Sequence, residues 1–167
     1  MAHSELYVDT GDHRHDGIEA LKKRLAARYV ATTNGLKVIL AKLAERAVTY
    51  SKDNKGYQDR TANLKNSISY ALFLDGELIT SDVGTIPKPN ETEGGQEQVE
   101  KALMEYASQN GVVAPQGFSL VIVAGMNYGR YVEDKGYNVL HLTKYYLRDE
   151  MAKVLKEVIE NVNNSDT

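Results

Sequence analysis

From Ile18 to Tyr50 the apolar positions step by three or four: Ile18, Leu21, Leu25, Tyr29, Leu36, Ile39, Leu43, Ala47 and Tyr50, with Thr32 keeping the phase. That period places them on one stripe of a long amphipathic helix. Lys22, Lys23, Arg24, Lys37, Lys42 and Arg46 fall on the opposite face. Thr32-Thr33-Asn34-Gly35 lowers helix propensity without breaking the phase, which predicts a kink or short break with Asn34 capping a second segment. Ser51 to Asp59 is a polar loop. The period then changes to two. Ile68, Tyr70, Leu72 and Leu74 alternate with Ser67, Ser69, Ala71 and Phe73, which predicts a strand over 66–74. Asp75-Gly76 is a two-residue hairpin signal, and Glu77 to Val83 is the return strand.

Pro87, Pro89, Asn90 and the Gly94-Gly95 pair mark 84–95 as loop. Val99, Ala102, Leu103, Tyr106 and Ala107 predict a short helix over 96–110, stopped by Gly111. Phe118 to Ala124 is the most apolar run, rich in β-branched residues, and reads as a buried strand. Residues 125–136 form a turn-rich connection. A last helix runs from about Val139 to Val162, with Asn138 as a cap and Leu147, Met151, Val154, Leu155, Val158 and Val162 as its stripe.

Strands set between helices without βαβ alternation predict an α+β domain. The expected architecture is a small, mainly antiparallel sheet packed against the long N-terminal helix and the C-terminal helix. Residues 1–16 read as a flexible arm, 17–162 as one domain with an insertion at 85–117, and 163–167 as a disordered tail. The first and last helices would cover one face of the sheet. The other face and the edges would then need a partner, which predicts a homo-oligomer.

Composition narrows the classes. The 167 residues suffice for one domain with a real core. No run approaches a membrane span, and the polar N-terminus has no apolar core of a secretory signal. Without cysteine there is no disulfide, thiolate metal site or cysteine nucleophile. The net charge of −3 argues against polyanion binding by the whole surface, but it is unevenly spread. Residues 14–60 carry eleven Lys/Arg against five Asp/Glu, net +6, so the remainder is net −9. That asymmetry suits head-to-tail subunit contacts or an acidic partner, and equally a solvated basic helix face.

Candidate chemistry is sparse. His13 and His15, between Asp12 and Asp16, are the one metal-like cluster; His3 lies apart and His141 lies far along the chain. There is no nucleophile elbow, no Ser-x-x-Lys and no phosphate loop. Glu133-Asp134 and Asp149-Glu150 are sequence neighbours, which face different ways on a helix and do not form an acid–base dyad. No cofactor is indicated. Tyrosine is over-used, with 11 copies and no tryptophan. Tyr128, Tyr131 and Tyr137 cluster in the turn-rich connection, where large amphipathic rings suit protein contacts as well as core packing.

Two segments carry a family likeness. Asp59-Arg60-Thr61-Ala62-Asn63-Leu64-Lys65-Asn66-Ser67-Ile68 resembles the pattern D-R-T-G-N-L-R-x-S-I, and the stretch from Ala124 to Leu140, with Asn127-Tyr128-Gly129-Arg130-Tyr131-Val132-Glu133 at its heart, resembles A-G-x-x-Y-A-x-Y-V-E-x-K-G-Y-D-V-L. Both patterns belong to the phage head–tail joining family related to gene product ten of phage Hong Kong 97. The resemblance implies a non-enzymatic tail-completion or neck subunit. It would form a ring between portal and tail tube, made in the host cytoplasm and carried in the virion neck. Its partners would be portal (connector) and tail-tube proteins, with at most non-specific DNA contact and no membrane. Alanine at 62, where the pattern has glycine, suggests that no positive φ is needed there, and Gly129 replaces the usual alanine. Leu64 and Ile68 would anchor the strand, Tyr131 and Val132 would pack, and Glu133 would face out. Arg60, Lys65, Tyr128, Arg130, Tyr131, Glu133 and Tyr137 are the expected interface residues. Two other readings stay open: a metal-dependent enzyme using His13 and His15, and a nucleic-acid module using the basic first helix.

Overall fold

The computed structural model describes residues 13–58, 61–84 and 96–164, and the side chains of 17–58, 61–84 and 96–160. In order, the elements are α1 (His13–Asp53), α2 (Asn63–Asn66), β1 (Ile68–Leu74), β2 (Glu77–Asp82), α3 (Gln96–Ala107), β3 (Phe118–Ala124), α4 (Gly129–Asp134) and α5 (His141–Asn164). The fold is α+β. The chain divides into two compact units, residues 1–36 and 37–167, with the boundary inside α1.

In the first unit α1 begins at His13, four residues inside the expected flexible arm; residues 1–12 lie outside the described residues. Ile18, Leu21, Leu25, Tyr29 and Val30 are all more than half exposed. The helix runs unbroken through Thr32-Thr33-Asn34-Gly35, so of the expected kink or short break the break does not occur. One weak turn costs about 1 kcal/mol at its glycine, which a 41-residue helix absorbs once the phase is preserved on both sides.

The second unit holds the core. Here α1 buries Leu40, Leu43, Ala44, Ala47 and Val48, a face rotated slightly from the predicted stripe, with Ile39 and Tyr50 at its margin. The sheet is three-stranded in the order β2-β1-β3, and both pairings are antiparallel. Asp75 (φ 52°) and Gly76 (φ 84°) make the hairpin turn with two positive φ angles, the twist that suits antiparallel strands. The Asp75 carboxylate accepts from Gly117 N at 2.7 Å, tying the turn to the start of β3.

β1 is the central strand and is buried on both faces, with only Leu74 half-buried. Leu72 packs with Leu40 and Leu43, and Ile68 and Tyr70 pack with Ala44 and Val48, while Leu147 and Met151 of α5 close the same side. On the other side Ala71, Phe73 and Val121 pack on Leu103 and Ala107 of α3. The expectation that this second face needs a partner is therefore overturned: α3, inside the supposed insertion, covers it. Each fully buried leucine of these layers contributes roughly 1.5–3 kcal/mol. Phe118–Ala124, read as a buried strand, is instead an outer strand in which only Val121 is fully buried. Hydrophobicity alone does not distinguish a central strand from an edge. α5 continues to Asn164, two residues into the expected tail; 165–167 lie outside the described residues.

Candidate functional site

The two family-like segments, about sixty residues apart in sequence, meet. In the first, Asp59 and Arg60 lie outside the described residues. Thr61 Oγ1 accepts from Asn63 N at 3.3 Å, opening the single turn of α2. Ala62 adopts φ 62°, ψ 5°, so the expectation of no positive φ fails: the left-handed conformation is used and an alanine tolerates it. The cost is about 1–2 kcal/mol relative to an ordinary backbone region. Ser67 Oγ donates to Leu64 O at 2.8 Å and closes the turn. Leu64 and Ile68 are both buried, as expected of anchors.

In the second segment Gly125 N donates to Ser67 O at 3.1 Å, stitching the two segments together backbone to backbone. Leu64 packs with Val99, Met126 and Val139, and Tyr57, Tyr128, Val132 and Leu140 rim this cluster. The glycines permit the approach. A Cβ on Gly125 would stand 2.7 Å from Val99 Cγ1 and 2.9 Å from Val99 Cα, so α3 sits directly on bare backbone. A Cβ on Gly129 would stand 3.2 Å from Leu64 Cδ1, tight but against the end of a movable side chain.

The supposed turn-rich connection contains α4, and helical periodicity reverses two expected orientations. Gly129, Val132 and Glu133 share the inner face, while Arg130, Tyr131 and Asp134 point away. Tyr131 is 64% exposed and does not pack; Lys135 Nζ lies 5.3 Å from its ring centre. Glu133 does not face out. Its Oε2 accepts from Val139 N (2.9 Å) and Leu140 N (2.7 Å), and its Oε1 from His141 N (3.2 Å). A carboxylate placed on the free amides at the start of α5 satisfies donors that the helix cannot, and its charge complements the positive end of the helix. Asn138 Oδ1 accepts from Leu142 N at 2.9 Å, the expected cap, and its Nδ2 donates to Asn54 O at 2.6 Å, tying the end of α1 to the start of α5.

The expected interface residues therefore separate. Arg130, in a long 3.8 Å pair with Asp134, and Tyr131 and Tyr137 are each exposed. Lys65 and Tyr128 are half-buried, and Glu133 is turned inward. The acid pairs have separate uses as well: Glu150 bonds Lys153 at 2.6 Å and reaches Arg46 of α1 at 3.5 Å. The hydrogen bond from Lys153 holds the Glu150 carboxyl below its ordinary value. Burial raises the Tyr70 phenol, with Glu45 and Asp82 adding to the effect.

No group of three or more metal-binding side chains occurs among the described residues. His13 and His15 lie on the first turn of α1, and their side chains lie outside the described residues. No described helix is long and apolar enough to cross a membrane. The sequence reading missed the groove beside β3. Two adjoining hollows, about 480 and 340 Å³, share Tyr106, Ile122, Leu140 and Lys144. The signal that could have found it was an uncharged strand with no proline. Compared with protein-family models, curated proteins and solved structures, the chain matches none.

Proposed function

We propose that this chain is a structural, non-catalytic subunit of a phage head–tail neck, acting through contacts with copies of itself and with portal and tail-tube proteins. One observation carries the reading. The two segments that resemble the neck family pack into one junction, with Leu64 against Gly129 and Ser67 O bonded to Gly125 N, and the acidic residue of the second segment caps α5. Side chains so used are architectural: they hold α2, α4 and α5 in place and leave Arg130 and Tyr131 of α4, and Tyr137 after it, exposed. Exposed amphipathic rings with one exposed arginine have the composition of a protein-contact surface. The exposed apolar stripe of α1 from Ile18 to Val30 adds a second surface of the same kind.

The test is assembly. Light scattering and negative-stain imaging of the chain alone, and of mixtures with portal and tail-tube proteins encoded beside it, should show rings or stable complexes. Tyr131→Ala with Arg130→Ala should weaken them at least tenfold while the fold melts unchanged. A strict monomer that binds neither protein refutes the reading.

A further inference from the structure

The sheet has two unlike edges. β2 is defended: the register shifts between Leu72 and Phe73, with Ile79 the extra residue, and Glu77 and Asp82 place charge on the strand. Bulges and charges are the devices that stop an edge from pairing with another chain. β3 has none of them. Phe118-Ser119-Leu120-Val121-Ile122-Val123-Ala124 carries no charge and no proline, and it pairs with β1 in unbroken register over all seven residues. Among the described residues β3 has β1 as its one strand neighbour, and no other described backbone group is hydrogen-bonded to its outer edge.

That edge lies in a slot. Tyr106 of α3 stands on one side, and Leu140, Thr143, Lys144 and Leu147 stand on the other, with Leu120 and Ile122 between them. The adjoining hollow continues past Ala124 to Arg130. Thr143 Oγ1 is buried with no hydrogen-bond partner, a polar atom in the wall of the groove. A slot walled by helices on both sides suits one extended segment better than a whole second sheet.

This chain contains such a segment. The twelve residues before His13 include Glu5-Leu6-Tyr7-Val8-Asp9. As a strand this places Leu6 and Val8 on one side and Glu5, Tyr7 and Asp9 on the other. Added beside β3, the apolar pair then faces Tyr106 on the α3 side, and the two carboxylates face Lys144 on the α5 side. Twelve extended residues reach about 40 Å.

We propose that the β3 edge takes residues 4–10 of a second copy of this chain as an added strand, by backbone pairing with side-chain specificity. Donation from one copy to the next is a heterologous contact, the kind that closes rings. The inference rests on the self-assembly part of the proposed function and names its contact.

The absence of cysteine permits a clean test. Full-length chains carrying Val8→Cys are mixed with full-length chains carrying Tyr106→Cys under mild oxidation. A disulfide between the two pools is expected, and it should fall at least tenfold when Val8→Cys is combined with Leu6→Pro, which removes a backbone donor outside the core. Lys144→Glu should weaken self-association about tenfold, and Glu5→Lys with Asp9→Lys should restore it. No cross-link, or assembly unchanged by Leu6→Pro, overturns the proposal. So does a chain carrying both cysteines that closes on itself at high dilution, since the donor is then its own. Self-assembly through this strand without portal or tail-tube binding would uphold the inference and refute the neck reading. Portal or tail-tube binding with assembly indifferent to Leu6→Pro would do the reverse.

Discussion

Replacing Glu133 separates a capping role from an interface role. Its carboxylate accepts three backbone N–H bonds at 2.7–3.2 Å from Val139, Leu140 and His141. Val139 is 2% exposed, and Leu140 is half-buried, so two of the three amides have little access to replacement water. A hydrogen bond to a charged group contributes about 1.5–3 kcal/mol where an unmet donor would otherwise be buried. Loss of a helix cap costs about 0.5–2 kcal/mol, and the charge adds about 0.3–1 kcal/mol through the helix dipole. These terms overlap and are not additive. Taking the two buried-side bonds as decisive, Glu133→Ala should destabilise by about 2–4 kcal/mol. Glu133→Gln keeps one acceptor oxygen and turns a donor toward an amide, so it should lose about half of that. Urea unfolding reads the difference as a shifted midpoint at unchanged slope. Amide exchange supplies the local check: Val139, Leu140 and His141 should lose protection while β1 amides keep it at matched stability. If Glu133→Ala unfolds within 0.5 kcal/mol of wild type, or its loss appears in assembly alone, the capping assignment is wrong and the residue belongs to a subunit contact.

Three further expectations can be checked by the same unfolding measurements. Gly125→Ala should cost about 1–3 kcal/mol by pushing α3 off the sheet, whereas Gly129→Ala, which presses on the movable end of Leu64, should cost under about 1 kcal/mol; equal effects would contradict the packing. Ala62→Gly relieves about 1–2 kcal/mol of left-handed strain but loosens the unfolded chain by about 0.4–1 kcal/mol, so it should be neutral to stabilising by about 1 kcal/mol; clear destabilisation would refute the φ assignment. The lowered Glu150 carboxyl stabilises the fold fully above its unfolded value near 4.5 and loses that contribution as pH falls through its lower folded value. Glu150→Gln should therefore flatten the acid side of the stability profile slightly, and a change confined to neutral pH would count against the Lys153 and Arg46 contacts.

Much of the local structure was legible in the residues. Phe118–Ala124 was delimited to the residue, because β-branched runs flanked by glycine resist other conformations. Asp75-Gly76 declared its turn, and Asn138 declared its cap, because both depend on chemistry within a few residues. The candidate site was legible only as two likenesses and a tyrosine cluster. That Glu133 turns inward follows from α4 being a helix and from α5 beginning within reach of it, and neither was visible in a stretch full of glycines.

What the sequence by itself determined was which positions share a face: period 3.6 in α1 and α5, period 2 in β1. What covers a face depends on strand order and on which helix returns to it, and these are properties of distant residues. The alternation in β1 correctly separated Ile68, Tyr70 and Leu72 from Ala71 and Phe73, yet it could not say that α3 would bury the second set. The same apolar period runs through Ile18–Tyr29 and Leu40–Val48, and only the tertiary structure shows the first exposed and the second in the core. Likewise the apolar run of β3 looked central, and the strand order made it an edge, because among the described strands β1 alone is flanked on both sides. Burial is a free energy shared among partners, so a chain can advertise a hydrophobic surface without stating whether its partner lies within the fold or beyond it.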